Sequence, residues 1–123
     1  MSVDISRVAV IGGGVLGAQI AIQTACFDFS VSVYDSDEQA FEKAVQNFKS
    51  IMAVLGKGPV VSLDDWERSI QKVKVVKSME NVLNDSDLVI EAVPEDLELK
   101  RRVFTQIDAL APPKAILATN SSS

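Results

Sequence analysis

The stretch Arg7-Val-Ala-Val-Ile-Gly-Gly-Gly-Val-Leu-Gly17 decides the fold. After Arg7 the run to Ile11 is apolar at every position, with β-branched residues prominent. Such a run reads as a strand buried on both faces, the habit of parallel sheets covered by helices on each side. Gly12-Gly-Gly14 breaks it, and from Val15 to about Phe27 the residues suit a helix. Gly12, Gly14 and Gly17 therefore form a G-x-G-x-x-G where a strand turns into a helix, the context that gives this common pattern its meaning. Gly12 allows the tight turn, and Gly14 lets the backbone approach a diphosphate with no Cβ in the way. Gly17, followed at helical spacing by Ala21 and Ala25, lets the helix press closely onto the sheet. The unpaired amides of the first helical turn, around Val15 and Leu16, then face the diphosphate, and the helix dipole favours its negative charge.

Working outward, Ser30-Val-Ser-Val-Tyr34 alternates in the manner of a second strand. Asp35 follows it, 18 residues after Gly17. A carboxylate at that place accepts hydrogen bonds from the 2′- and 3′-hydroxyls of an adenosine ribose and repels a 2′-phosphate. Ser36 and Asp37 come next, with no arginine nearby to receive that phosphate. NAD is thus expected over NADP. The plainer alternative, a packing-only glycine turn with Asp35 as a solvated strand end, is outweighed by strand, turn, helix, strand and acid falling in register.

Downstream, Ser36 is expected to cap a long helix with Asp37 and Glu38 in its first turn. Its apolar stripe is Phe41, Ala44, Val45, Phe48, Ile51, Met52 and Leu55, and Gly56-Lys-Gly-Pro59 ends it. A short helix is expected from Leu63, within a less regular segment. Lys72–Val76 reads as a third strand, Ser78–Leu83 as a helical turn, and Asp87–Glu91 as a fourth strand. Asp96 is expected to cap a helix with Leu99, Val103, Phe104, Ile107 and Leu110 on one side, before Ala111-Pro-Pro113 and a fifth strand, Ala115–Thr119. Strands separated by helices imply parallel pairing and a doubly wound α/β sheet, with strand order 3-2-1-4-5 expected. A flavodoxin-like or response-regulator reading is disfavoured by the glycine turn after the first strand.

Composition narrows the function. A length of 123 residues suits one domain, residues 1–123. With 17 Asp and Glu against 12 Lys and Arg, a nucleic-acid partner is not expected. No stretch approaches the ~20 apolar residues of a membrane span, so no membrane partner is expected either. A single cysteine, Cys26, excludes an intramolecular disulfide and fits a reducing compartment; a cytoplasmic location is expected. Without a Cys/His cluster no metal is expected. The chain has no histidine at all, so chemistry needing an imidazole is beyond these residues alone.

Together with the glycine turn and the long helix, two further stretches carry a family resemblance: Glu91-Ala-Val-Pro-Glu-Asp-Leu-Glu-Leu-Lys100 and Ala118-Thr-Asn-Ser-Ser-Ser123. The chain resembles the NAD-binding domain of L-3-hydroxyacyl-CoA dehydrogenases over essentially its whole length. The resemblance implies a mainly parallel Rossmann sheet, truncated before the sixth strand and before a C-terminal helical domain used for dimerisation and substrate closure. It implies NAD as cofactor, held by Gly12, Gly14, Val15, Leu16, Gly17, Asp35, Ala92, Val93, Glu95, Lys100 and Asn120. Glu95 and Lys100 would lie near the nicotinamide ribose, Asn120 beside the nicotinamide, and Ser122 on the substrate's 3-oxygen. The implied substrate is an L-3-hydroxyacyl-CoA of fatty-acid β-oxidation, and the full-length relative would be a homodimer. The family's acid–base work falls to a His–Glu pair beyond the Asn-x-Ser segment, so this chain by itself is expected to be inactive. The Val93–Lys100 stretch also resembles the λ-crystallin/gulonate dehydrogenase branch, and carnitine dehydrogenases share the scaffold. Thr119-Asn-Ser-Ser is closer to the acyl-CoA branch, which is ranked first. A stand-alone dinucleotide-binding or regulatory module is the other alternative.

Simpler roles stand beside these. Glu91 and Glu95 also read as a strand end and a helix-start acid, and only Glu95 gains a ligand role from the resemblance. Lys100-Arg-Arg102 is by default a solvated helix face, and Asn120 and Ser122 are common turn formers. Cys26 reads as a small core residue, Trp66 as a packing anchor. The long helix offers Lys43 and Lys49, with Lys57 just beyond, but no dense basic cluster for CoA.

Overall fold

The computed structural model describes residues 5–55, 63–94 and 96–119. In chain order these form β1 (Arg7–Ile11), α1 (Val15–Ala25), β2 (Ser30–Tyr34), α2 (Ala40–Leu55) and α3 (Leu63–Lys72). They continue through β3 (Lys74–Val75), α4 (Met79–Leu83), β4 (Leu88–Glu91), α5 (Leu97–Leu110) and β5 (Ile116–Thr119). All strand pairs are parallel, and the sheet runs β3-β2-β1-β4-β5, the expected order.

Period-two alternation along β1 splits the core into two layers. Val8 and Val10 point to one face, where they meet Val31 and Val33 of β2 and the buried sides of α1, α2 and α3. Ala9 and Ile11 point to the other, against Val89 of β4 and the apolar residues of α4 and α5. Trp66 is buried and stands edge-on to Phe48 with ring centroids 6.1 Å apart, which locks α3 onto α2 and makes it the expected packing anchor. The stripe on α2 is seen through Phe41, Ala44, Val45 and Phe48. The side chains of Ile51, Met52 and Leu55, and the expected stop at Gly56–Pro59, lie outside the described residues. On α5, Val103 and Ile107 are buried, whereas Leu110 at the last position is 40% exposed.

Several boundaries differ from the sequence reading, each for a local reason. Helix α1 ends at Ala25 because Asp28 takes a left-handed conformation, φ 66°, that turns the chain into β2. Ser36 does not cap α2. The Asp35 and Asp37 carboxylates instead accept hydrogen bonds from the amides of Asp37 and Gln39, and these turns postpone the helix to Ala40. The third strand shrinks to Lys74–Val75, since Lys72 belongs to α3 and only Ser32↔Lys74 and Val33↔Val75 pair on this exposed edge. Ser78 and Asp96 do cap α4 and α5, accepting from Asn81 and Leu99 amides. No helix among the described residues is long and apolar enough to cross a membrane.

Candidate dinucleotide site

Beside β1 the strand order reverses, with β2 on one side and β4 on the other. Open α/β sheets bind ligands in the crevice that such a reversal leaves beyond the carboxyl ends of the strands. The glycine loop leaves β1 at this point. Gly12 has φ 113°, a conformation side-chain-bearing residues rarely adopt, and its amide donates to Tyr34 O at 2.7 Å. A Cβ on Gly12 would lie 2.6 Å from the Ala92 carbonyl oxygen, so the loop and the Ala92–Val93 segment after β4 are in backbone contact.

The remaining glycines divide the work. At Gly17 a Cβ would fall 1.6 Å from the Gly12 carbonyl oxygen. Its smallness is therefore spent against the loop itself, whereas the sequence reading had it spent against the sheet. Gly14 is the N-cap of α1, and a Cβ there would meet nothing within 4 Å. No side chain caps this helix, and its first turn has no acidic residue. The first-turn amides, those of Val15 and Leu16 among them, thus have no capping side chain at the positive end of the dipole. The Val15 and Leu16 side chains at the start of this helix are about half exposed.

Asp35 stands at the end of β2 and is half-buried. Its Oδ2 accepts from the Gly13 amide and its Oδ1 from the Asp37 amide, both at 2.8 Å. The carboxylate is thereby oriented by the loop it would work beside, and each oxygen has a second lone pair for a ribose hydroxyl. Nothing in the sequence points to this bond to Gly13, because the second position of the motif carries no signal beyond being glycine.

Across β1, Glu91 ends β4 and is wholly buried. Its Oε2 accepts from the Val93 amide and its Oε1 from the Thr119 hydroxyl, both at 2.7 Å. The strand-end reading of Glu91 holds, but it does not by itself point to these two partners. The one available sign was an acid closing an apolar strand that is followed at once by Ala-Val-Pro. Lys100 is half-buried in the first turn of α5. Glu95, Asn120 and Ser122 lie outside the described residues. Cys26 is half-buried next to the Ser69 hydroxyl, on the α1 side and away from the crevice.

A cleft of about 670 Å³ opens at the opposite, amino ends of the strands, beside Ser6, Arg7, Asp85, Asp87, Pro112 and Lys114. Its acids are engaged: Asp87 accepts from the Ser6 and Arg7 amides, and Asp85 pairs with Arg7. The Ser6 amide, then that of Arg7, hold the Asp87 carboxyl below its ordinary range. That cleft fastens β1 to β4 and offers no counterpart to the unfilled amides on the other side.

Comparison with known proteins agrees with this geometry. A family model described as "3-hydroxyacyl-CoA dehydrogenase, NAD binding domain" matches residues 7–123. The 3-hydroxyadipyl-CoA dehydrogenase of Escherichia coli (strain K12) is 32% identical across 100% of this chain and 26% of its own length. The peroxisomal bifunctional enzyme of Cavia porcellus is 38% identical across 97% of this chain and 16% of its own. A solved diketoreductase, described as acting on dicarbonyl compounds, superposes with a TM-score of 0.84 at 40% identity, covering 100% of this chain and 44% of that one. The chain thus spans less than half the length of these relatives. Since the family match takes in all but the first few residues, the chain belongs to the NAD-binding domains of the 3-hydroxyacyl-CoA dehydrogenase family.

Proposed function

We propose that these residues form the cofactor half of an enzyme that oxidises an L-3-hydroxyacyl-CoA to the 3-ketoacyl-CoA, as in fatty-acid β-oxidation. The observation that carries this is the uncapped, open start of α1 above a glycine loop, with Asp35 held at its flank. The amides around Gly14, Val15 and Leu16 hold the diphosphate. Asp35 accepts from the adenosine ribose hydroxyls and repels a 2′-phosphate. The Ala92 and Val93 backbone, Glu95, Lys100 and Asn120 line the nicotinamide end, and Ser122 donates to the substrate's 3-oxygen. NAD, when bound, supplies the acceptor for the hydride leaving C3. The proton from the 3-hydroxyl needs a base. With no histidine among the 123 residues, that base is not an imidazole of this chain, and the chain by itself is inactive. A homodimeric whole enzyme in the cytoplasm belongs to the same proposal.

A second reading, oxidation of a free 3-hydroxy acid or reduction of a dicarbonyl compound, is favoured by two observations. The diketoreductase is 40% identical, and α2 lacks a dense basic cluster for the CoA phosphates.

Titrating the chain with NADH and NADPH by fluorescence tests the cofactor assignment. NADH should bind at least about tenfold more tightly, the effect of one charge clash. Equal or tighter NADPH binding overturns it. Added 3-hydroxybutyryl-CoA with NAD should yield no NADH, and turnover by this chain would remove the assigned division of labour.

A further inference from the structure

Glu91 has no role in the proposed chemistry, yet among the described residues it is a carboxylate with 0% exposure. An apolar residue would fill that place at the end of β4 with no desolvation penalty. A buried carboxylate persists only where donors take its lone pairs. Two of its donors come from separate segments. One is the Val93 amide, two residues on, in the loop whose Ala92 carbonyl abuts Gly12. The other is the Thr119 hydroxyl, directly opposite Glu91 in the β4–β5 register. Thr119 immediately precedes Asn120.

These segments lie on one side of the crevice. Asp35 ends β2, on one flank of β1, while Glu91 and Thr119 end β4 and β5 on the other. A dinucleotide laid across the reversal with its adenosine at Asp35 places its nicotinamide half toward β4 and β5. We propose that Glu91 is a positioning residue. It clamps the Ala92–Val93 backbone to the end of β5, so that the seat for the nicotinamide half is set before the cofactor arrives, without touching the cofactor itself. This rests on the NAD reading above.

Parallel calorimetric titrations of the chain with NADH and with ADP-ribose, which lacks the nicotinamide, test it. Glu91→Ala removes the acceptor for both the Val93 amide and the Thr119 hydroxyl, so the loosened seat must be ordered on binding. It should weaken NADH about tenfold and leave ADP-ribose within about twofold. Glu91→Gln should recover most of the NADH affinity. Its amide oxygen still accepts from Val93, and its NH₂ donates to a Thr119 hydroxyl turned round. At the exposed strand end, Thr119→Val should weaken NADH selectively and Thr119→Ser should restore it; this pair decides the matter if Glu91→Ala fails to fold. Equal weakening of both ligands, or no weakening of NADH, overturns the clamp while leaving NAD binding intact. A parent chain that binds no NADH overturns the NAD reading, and the clamp falls with it.

Discussion

Alanine at Gly14 and alanine at Gly17 should behave as opposites, although both change one motif by one methyl. At Gly14 the backbone, φ −70° and ψ −166°, is open to any residue, and the added Cβ meets nothing within 4 Å. Alanine there removes unfolded-chain freedom, a gain of about 0.4–1 kcal/mol. It also gives up a favourable N-cap, a loss of about the same size. Stability should stay within about 1 kcal/mol of the parent, or roughly 5 °C in Tm. Binding should not survive as well. A methyl in the space assigned to the diphosphate pushes it off the first-turn amides. Losing even two charge-assisted hydrogen bonds, about 1.5 kcal/mol each, weakens NADH by about 100-fold. Gly17→Ala instead sets a Cβ 1.6 Å from the Gly12 oxygen. Ordinary carbon–oxygen contact is about 3.3 Å, so loop or helix must move by well over an ångström. Overpacking of that kind costs about 3 kcal/mol or more, a fall of roughly 10 °C or more in Tm. Circular-dichroism melting with NADH fluorescence titration reads both quantities. A Gly14→Ala chain that binds NADH like the parent, or that melts as early as Gly17→Ala, refutes the reasoning.

Asp35→Asn puts an NH₂ in place of one of the two oxygens that accept the Gly13 and Asp37 amides, leaving that amide facing a donor. NADH affinity should fall about tenfold and the preference over NADPH should shrink, as paired titrations would record. Asp87 carries a pH prediction. Its folded pKa lies below the ordinary 3.8, so the native state binds fewer protons than the unfolded chain. Its contribution is present above about pH 3.8 and is lost as pH falls through the folded value. Asp87→Asn should flatten the acid limb of a stability–pH curve measured by urea unfolding, and leave NADH affinity at pH 7 unchanged because it lies at the opposite end of β4. Trp66→Ala removes the α2–α3 lock and should cost about 3–5 kcal/mol in urea unfolding, with NADH affinity of the folded protein retained.

The centre of the sheet was legible because β1 is buried on both faces and β4 runs apolar beside it. Val8–Ile11 and Leu88–Ile90 admit little reading but strand, and the helices between them force parallel neighbours. Edges were less legible. Lys74–Val75 pairs on one side only, so little in Lys72–Val76 distinguishes strand from the end of α3. The start of α2 was misplaced because Asp35 and Asp37 bond to amides two residues on, a choice between turn and cap that depends on the loop beside them. In the site, Gly12 and Asp35 were legible from spacing. Glu91 was not, since its partners include a hydroxyl on β5 that comes close only once the strands are in register. The role of Gly17 was seen in kind and misplaced in detail, because steric conflict with a carbonyl three-dimensionally above it leaves no trace in composition.

A crystal structure of the chain soaked with NAD tests the central claim most directly. The diphosphate should lie within hydrogen-bonding distance of the Val15 and Leu16 amides, with a ribose hydroxyl on Asp35 and the nicotinamide directed toward β4 and β5. NAD bound in the cleft beside Asp87, or bound with its diphosphate away from the glycine loop, would contradict it.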